Sequence, residues 1–143
     1  MNYATAEQTV TVSPATTVLP LEGTAWELAY YYDGTGAMVA VLESTKITAV
    51  FNNSLGKLAG AACNDYNAGY TVNGNNLTID IPTATALTCS TPPGVMQQEA
   101  AYLSLLPTTS SYKIMGDVLQ LIKTEDGQET VLLEYEAVQA TPY

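Results

Sequence analysis

The sequence has no histidine and no arginine, and its only basic residues are Lys46, Lys57, Lys113 and Lys123. Nucleic-acid binding needs a basic footprint that displaces counterions, so this function class is excluded. Attraction to anionic lipid fails for the same reason. Nucleophilic catalysis by Cys or Ser needs a base in reach, and the usual base is missing. Cysteine is nearly absent as well: Cys63 and Cys89 are the only two, too few for a zinc cluster without histidine. No apolar run reaches the ~18 residues of a membrane-spanning helix. Charged residues make up only 13%, about half the usual share.

Hydroxyl, amide and small side chains take the place of charge. The 143 residues suit one domain, and 47% are hydrophobic, enough for a core without metal support. The formal net charge of −10 favours cationic partners over anionic ones. The opening "MNYATAEQTVTVSP" has neither a basic nor an apolar leader region. It reads as a mature chain or as one that carried no leader, and the composition leans toward export.

Residues 1–20 read as an extended arm, 21–137 as the domain proper and 138–143 as a C-terminal tail. The arm alternates Thr9, Val10, Thr11 and Val12, which is strand chemistry. In the domain, "GTAWELAYYY" reads as a strand with Trp26, Leu28 and Tyr30 on one face, and "KITAVF" as another with Ile47, Ala49 and Phe51 sharing a face. "GKLAGAAC" follows the turn "NNSLG". "YNAGYTV" and "NLTIDI" flank "NGNN", where Asn-Gly signals a hairpin. Gly116-Asp117 and Glu125–Gln128 separate three late strands into two more hairpins. One helix is expected over about Pro93–Leu106, capped by Ser90 or Thr91, facing inward through Met96, Ala100, Leu103 and Leu106, and stopped by Pro107. The expected class is mostly β (α+β): a small antiparallel, barrel-like meander with one helix and an extended N-terminal arm.

"AACNDYNAGY" (61–70) sets a thiol beside an amide and a carboxylate. Asp65, two residues from Cys63, would raise the thiol pKa and blunt its reactivity. If the chain is exported, the even pair Cys63 and Cys89 favours a disulfide, which would contribute roughly 3–4 kcal/mol. If it is cytosolic, both are small buried hydrophobes. "YYDGTG" and "EDGQE" place oxygen ligands near glycine and read as turns. The sequons at Asn52 and Asn76 matter only in a glycosylating host. No catalytic, cofactor-binding or metal-ligating set is expected. Asn64 and Asp65 are expected to shape a turn or bulge, and Tyr66 and Tyr70 to pack or line the sheet. Of Tyr30, Tyr31 and Tyr32, at least one should be exposed.

The sequence resembles the META domain family. "LEGTAWEL" carries Gly23, Thr24 and Trp26 of its first strand. "CNDYNAGY" carries Cys63, Asn64, Tyr66 and Tyr70, and "TALTC" carries Thr85 and Cys89. "QQEAAYLSLL" carries Gln98 and Glu99, and "YKIMGDVLQL" carries Gly116 and Asp117. Ala62 and Ala68 stand where the family has Gly, with Gly69 displaced by one, and Leu87 replaces Met. The arm has no counterpart. The resemblance implies a β domain with a packed helix, exported or envelope-associated, linked to stress responses and without established catalytic residues.

The functional expectation is a non-enzymatic extracellular module acting through protein–protein contact. Its partner is itself or another envelope protein, and its arm adds as a strand to a neighbour in a filament. The alternative is a monomeric envelope stress or small-ligand module with a tyrosine-lined barrel mouth. A filled interior would count against the ligand.

Overall fold

Alternating apolar residues and frequent turn formers make this chain a sheet. The computed structural model describes residues 19–138; the alternation at Thr9–Val12 lies outside them. The described strands are β1 (Ala25–Tyr32), β2 (Met38–Ala40), β3 (Thr48–Asn52), β4 (Lys57–Ala61), β5 (Asp65–Asn73), β6 (Asn76–Ile79), β7 (Thr83–Ala84), β8 (Ser111–Met115), β9 (Val118–Glu125) and β10 (Gln128–Ala137). Helix α1 (Val95–Leu105) and a 3₁₀ turn (Leu106–Thr108) precede β8. All strand pairings are antiparallel. The order is β10-β9-β8-β6-β5-β4-β3-β1-β2, with β7 on β5, and β10 pairs back onto β1 to close a ring.

Each expected hairpin forms. Asp126 and Gly127 both take positive φ, 53° and 78°, as a twisted two-residue hairpin requires. At the β5–β6 turn the two loop residues are Gly74 and Asn75. Only Gly74 has positive φ there, so Asn73 closes the hairpin rather than sitting inside it. In "YYDGTG" the Asp33 carboxylate accepts the Thr35 N–H at 2.7 Å, the Thr35 hydroxyl at 2.8 Å and the Ala37 N–H at 3.3 Å. The Thr35 amide and hydroxyl hold its pKa below the ordinary value.

The expected face of β1 is corrected by a bulge. Trp26 and Leu28 are buried. Tyr30 pairs with Glu134 and Leu28 with Tyr135, so Ala29 is the extra residue. An inserted residue inverts the alternation beyond it. Tyr30 is therefore exposed, while Tyr31 packs against the core.

The helix needs two corrections. Its N-cap is Gly94, at φ 90° with no side-chain cap bond, and Pro93 precedes the cap. Val95 instead donates to the Pro92 carbonyl at 3.1 Å. Its inward face is Val95, Gln98, Glu99, Tyr102 and Leu106, while Ala100 is exposed. Polar side chains occupy the buried stripe because they bond loop backbone.

Turns alternate between the two ends of the ring, and each end is closed differently. Helix α1 covers the end holding the β4–β5 turn. Leu19–Gly23 crosses the other: Leu21 is buried, Glu22 bridges to Phe51, and Leu19 packs on the core beside Gly116. Between them Trp26, Phe51, Leu58, Leu77, Tyr102, Leu119 and Tyr135 fill the interior.

Candidate functional site

The "AACNDYNAGY" stretch turns from β4 into β5 under the helix. Asn64 is buried there and uses its polar groups fully. Its backbone N–H donates to Glu99 Oε1 at 2.8 Å, and its Nδ2 to Glu99 Oε2 at 2.6 Å and to the Leu87 carbonyl at 3.1 Å. Its Oδ1 accepts the Thr85 hydroxyl at 2.7 Å and the Leu87 N–H at 2.6 Å. Thr85 also accepts the Asp65 N–H at 3.2 Å. One amide thus ties the turn, the helix and the segment after β7 together. Leu87 contributes only backbone, and its side chain is exposed, so the departure from Met there costs no contact.

Cys63 and Cys89 form a disulfide in the same place. It pins the segment that Asn64 also holds, and no free thiol remains in the chain. The Cys89 N–H meets Met96 Sδ at 3.4 Å. A hollow of about 310 Å³ beside it is lined by Lys46, Ile47, Cys63, Cys89, Gln98 and Glu99 among others.

Beneath the helix runs a chain of tyrosine hydroxyls. Tyr66 OH reaches the Thr48 carbonyl at 2.6 Å, Tyr102 bonds Tyr66, and Tyr135 bonds Tyr102 at 2.9 Å. A carbonyl only accepts, and each hydroxyl has one proton. The direction is therefore fixed from Tyr135 through Tyr102 and Tyr66 to Thr48. Tyr66 and Tyr102 rings also meet edge to face, as do Tyr102 and Tyr135. Burial pushes all three phenols above the ordinary tyrosine range. Gly60 lies against this chain: a Cβ there would sit 1.9 Å from the Thr48 oxygen and 2.8 Å from Tyr66 OH.

The remaining signature residues gather at the opposite end. Gly23, at φ 89°, donates its N–H to the Phe51 carbonyl at 2.9 Å. Thr24 Oγ1 bonds the Pro20 carbonyl at 2.7 Å, and Trp26 Nε1 the Leu21 carbonyl at 3.1 Å. Tyr70 OH donates to Glu22 Oε2 at 2.6 Å; burial, and then the Glu22 carboxylate, raise its pKa. Gly116 and Asp117 make the β8–β9 turn. A hollow of about 690 Å³ opens at this end, lined by Leu21, Phe51, Asn52, Ser54, Val72 and Tyr112 among others.

The signature residues thus divide between the two closures of the ring. Tyr102, Tyr135 and Glu22 escaped the sequence reading, whereas Gln98 reads with Glu99 as part of the helix signature. Gln98 accepts the Leu42 N–H at 2.7 Å and donates to Thr45 Oγ1 at 3.1 Å. The available signal was the spacing Val95, Glu99, Tyr102, Leu106, a helical stripe if polar members are admitted. Among the described residues no group of three or more acids or cysteines lies placed to hold a metal. No helix there is long and apolar enough to cross a membrane.

The chain matches the META domain family over residues 19–137 and belongs to that family. Its fold is similar to the NMR structure of a protein from Burkholderia xenovorans, with TM-score 0.62 and 24% identity over 84% of this chain and 85% of that one. A second NMR structure is similar at TM-score 0.56 and 15% identity, over 88% of this chain and 95% of that one. No curated protein matches the chain.

Proposed function

We propose that this META domain is a non-enzymatic, extracytoplasmic module acting through protein–protein contact, its N-terminal segment joining one copy to the next. The observation that carries this reading is the filled ring. Trp26, Phe51, Tyr66, Tyr102 and Tyr135 are each at most 2% exposed and fill the interior of the described ring. Function then falls to the outside of the molecule. The disulfide suits an oxidising compartment, and a surface poor in lysine loses little side-chain entropy on contact. Removing residues 1–18 and measuring mass by light scattering tests the reading. Multimers of the full chain should give way to monomers, and an unchanged assembly state refutes it.

One observation favours a second reading, a monomeric envelope module that takes a small ligand. The 690 Å³ hollow beside Leu21 and Phe51 has ligand-sized volume. That reading expects a monomeric full chain at every concentration.

A further inference from the structure

The ring has one thin seam. Strand β8 meets β6 through a single register pair, Asn76 with Ser111. Two backbone bonds support it, Leu77 N–H to the Ser110 carbonyl at 3.1 Å and Tyr112 N–H to the Asn75 carbonyl at 3.0 Å. Past that level β8 continues beyond the β5–β6 turn. Among the described residues no strand pairs with Lys113–Met115 on this edge.

Antiparallel alternation says which groups face the open side. Met115 and Val118 close a two-residue hairpin, so Met115 and Lys113 direct their backbone groups to β9. Tyr112 and Ile114 direct theirs outward, as the Tyr112 bond to Asn75 requires. One step further, the Gly116 carbonyl accepts the Leu19 N–H at 3.5 Å. The Ile114 N–H and C=O lie between these two occupied positions, and among the described residues nothing pairs with them on this edge. Unpaired edges of this kind are templates for strand addition.

We propose that the Lys113–Met115 edge accepts Thr9–Val12 of a second copy as an added strand. This rests on the protein-contact reading above and names its acceptor. Residues 1–18 lead out from Leu19, which already sits on this edge. Fully extended they span roughly 60 Å, more than the ~35 Å width of a domain this size. Ser13 precedes a proline and is biased to extended backbone. From Ala15 to Leu19 there is no Gly, Asn or Asp to hold a left-handed turn residue. The segment is therefore long enough to reach beyond its own domain and carries no residue suited to a left-handed turn next to Leu19. Its charge fits too: Glu7 is its only ionisable side chain apart from Tyr3, and Lys113 is exposed on the acceptor. An edge lysine discourages promiscuous pairing, which favours a strand that brings its own acid.

The test uses light scattering on the full chain and three variants. Ile114→Pro removes the outward N–H while leaving the β8–β9 ladder intact, a position edge strands tolerate. Lys113→Glu sets an acid against Glu7 without touching the core. Both should lower the assembled mass toward the monomer, and adding Glu7→Lys to Lys113→Glu should restore it. Mixing Ile114→Pro with a chain lacking residues 1–18 should give a one-to-one pair, since one supplies the strand and the other the edge. If the truncated chain is monomeric but both β8 variants assemble like the parent, or the mixture does not pair, the acceptor lies elsewhere and only this proposal falls. A truncated chain that assembles like the parent overturns the protein-contact reading with it. So does a full chain that is monomeric at every concentration.

Discussion

Gly60 has no room for a methyl group, because the Thr48 carbonyl and the Tyr66 hydroxyl bond directly across it. Gly60→Ala must push β4 from β3 or break that bond. A loss of at least 1–3 kcal/mol is expected, read as a lower urea midpoint; an unchanged midpoint would mean the backbone yields freely. Glu99 is the second such residue. Its two oxygens each accept from Asn64. In Glu99→Gln, whichever way the amide turns, its NH₂ faces a donor. The expected cost is about 1–3 kcal/mol, with Glu99→Asp no substitute because the shorter stem cannot reach both groups. The role of Asn64 was half legible. Its turn preference reads from the sequence, but its partners stand 21 to 35 residues away, and no local pattern encodes such a pairing.

Among the elements, hairpins were legible and the helix face was not. A hairpin writes its register in adjacent residues: alternation on both sides and Gly or Asp at the turn. The face of α1 depends on what it covers. It covers loops with unpaired N–H groups at Leu42 and Asn64, so Gln98 and Glu99 turn inward where an apolar reading expects Met96 and Ala100. The bulge at Ala29 was illegible for a like reason, since it is defined by the partner strand β10. The segment between β6 and α1 is held mainly by Asn64, Thr85 and the disulfide, with only the two residues of β7 in the sheet. Replacing both cysteines by serine should therefore cost about 3 kcal/mol. The loss should appear first as faster amide exchange in Thr83–Cys89. Slow exchange in that segment after reduction would show that the Asn64 bonds suffice alone.

For the whole molecule, the ring, the helix and the Leu19–Gly23 crossing form one closed body whose core includes Tyr70 and the three hydrogen-bonded phenols of Tyr66, Tyr102 and Tyr135. Filling the interior with tyrosines rather than phenylalanines makes it sensitive to alkali. Tyr66, Tyr102 and Tyr135 have folded-state pKa values raised by burial. In the unfolded chain they titrate near pH ~10. Below that pH both states hold the protons and the stability is complete. Above it the unfolded chain releases protons that the folded chain retains. Each of the three then withdraws up to about 1.4 kcal/mol of stability per pH unit. The protein should tolerate neutral and mildly alkaline solution and then unfold over a narrow span above pH ~10. Tyrosinate absorbance should include a cooperative rise that coincides with loss of the sheet signal in circular dichroism. Tyr102→Phe separates the effects. It removes one proton from the linkage, yet leaves Tyr135 without an acceptor and Tyr66 without a donor, so stability at pH 7 should fall by roughly 1–3 kcal/mol. Its decline with pH should be shallower than the parent's. A gradual titration of Tyr66, Tyr102 and Tyr135 with the sheet intact would mean that water reaches the ring's interior.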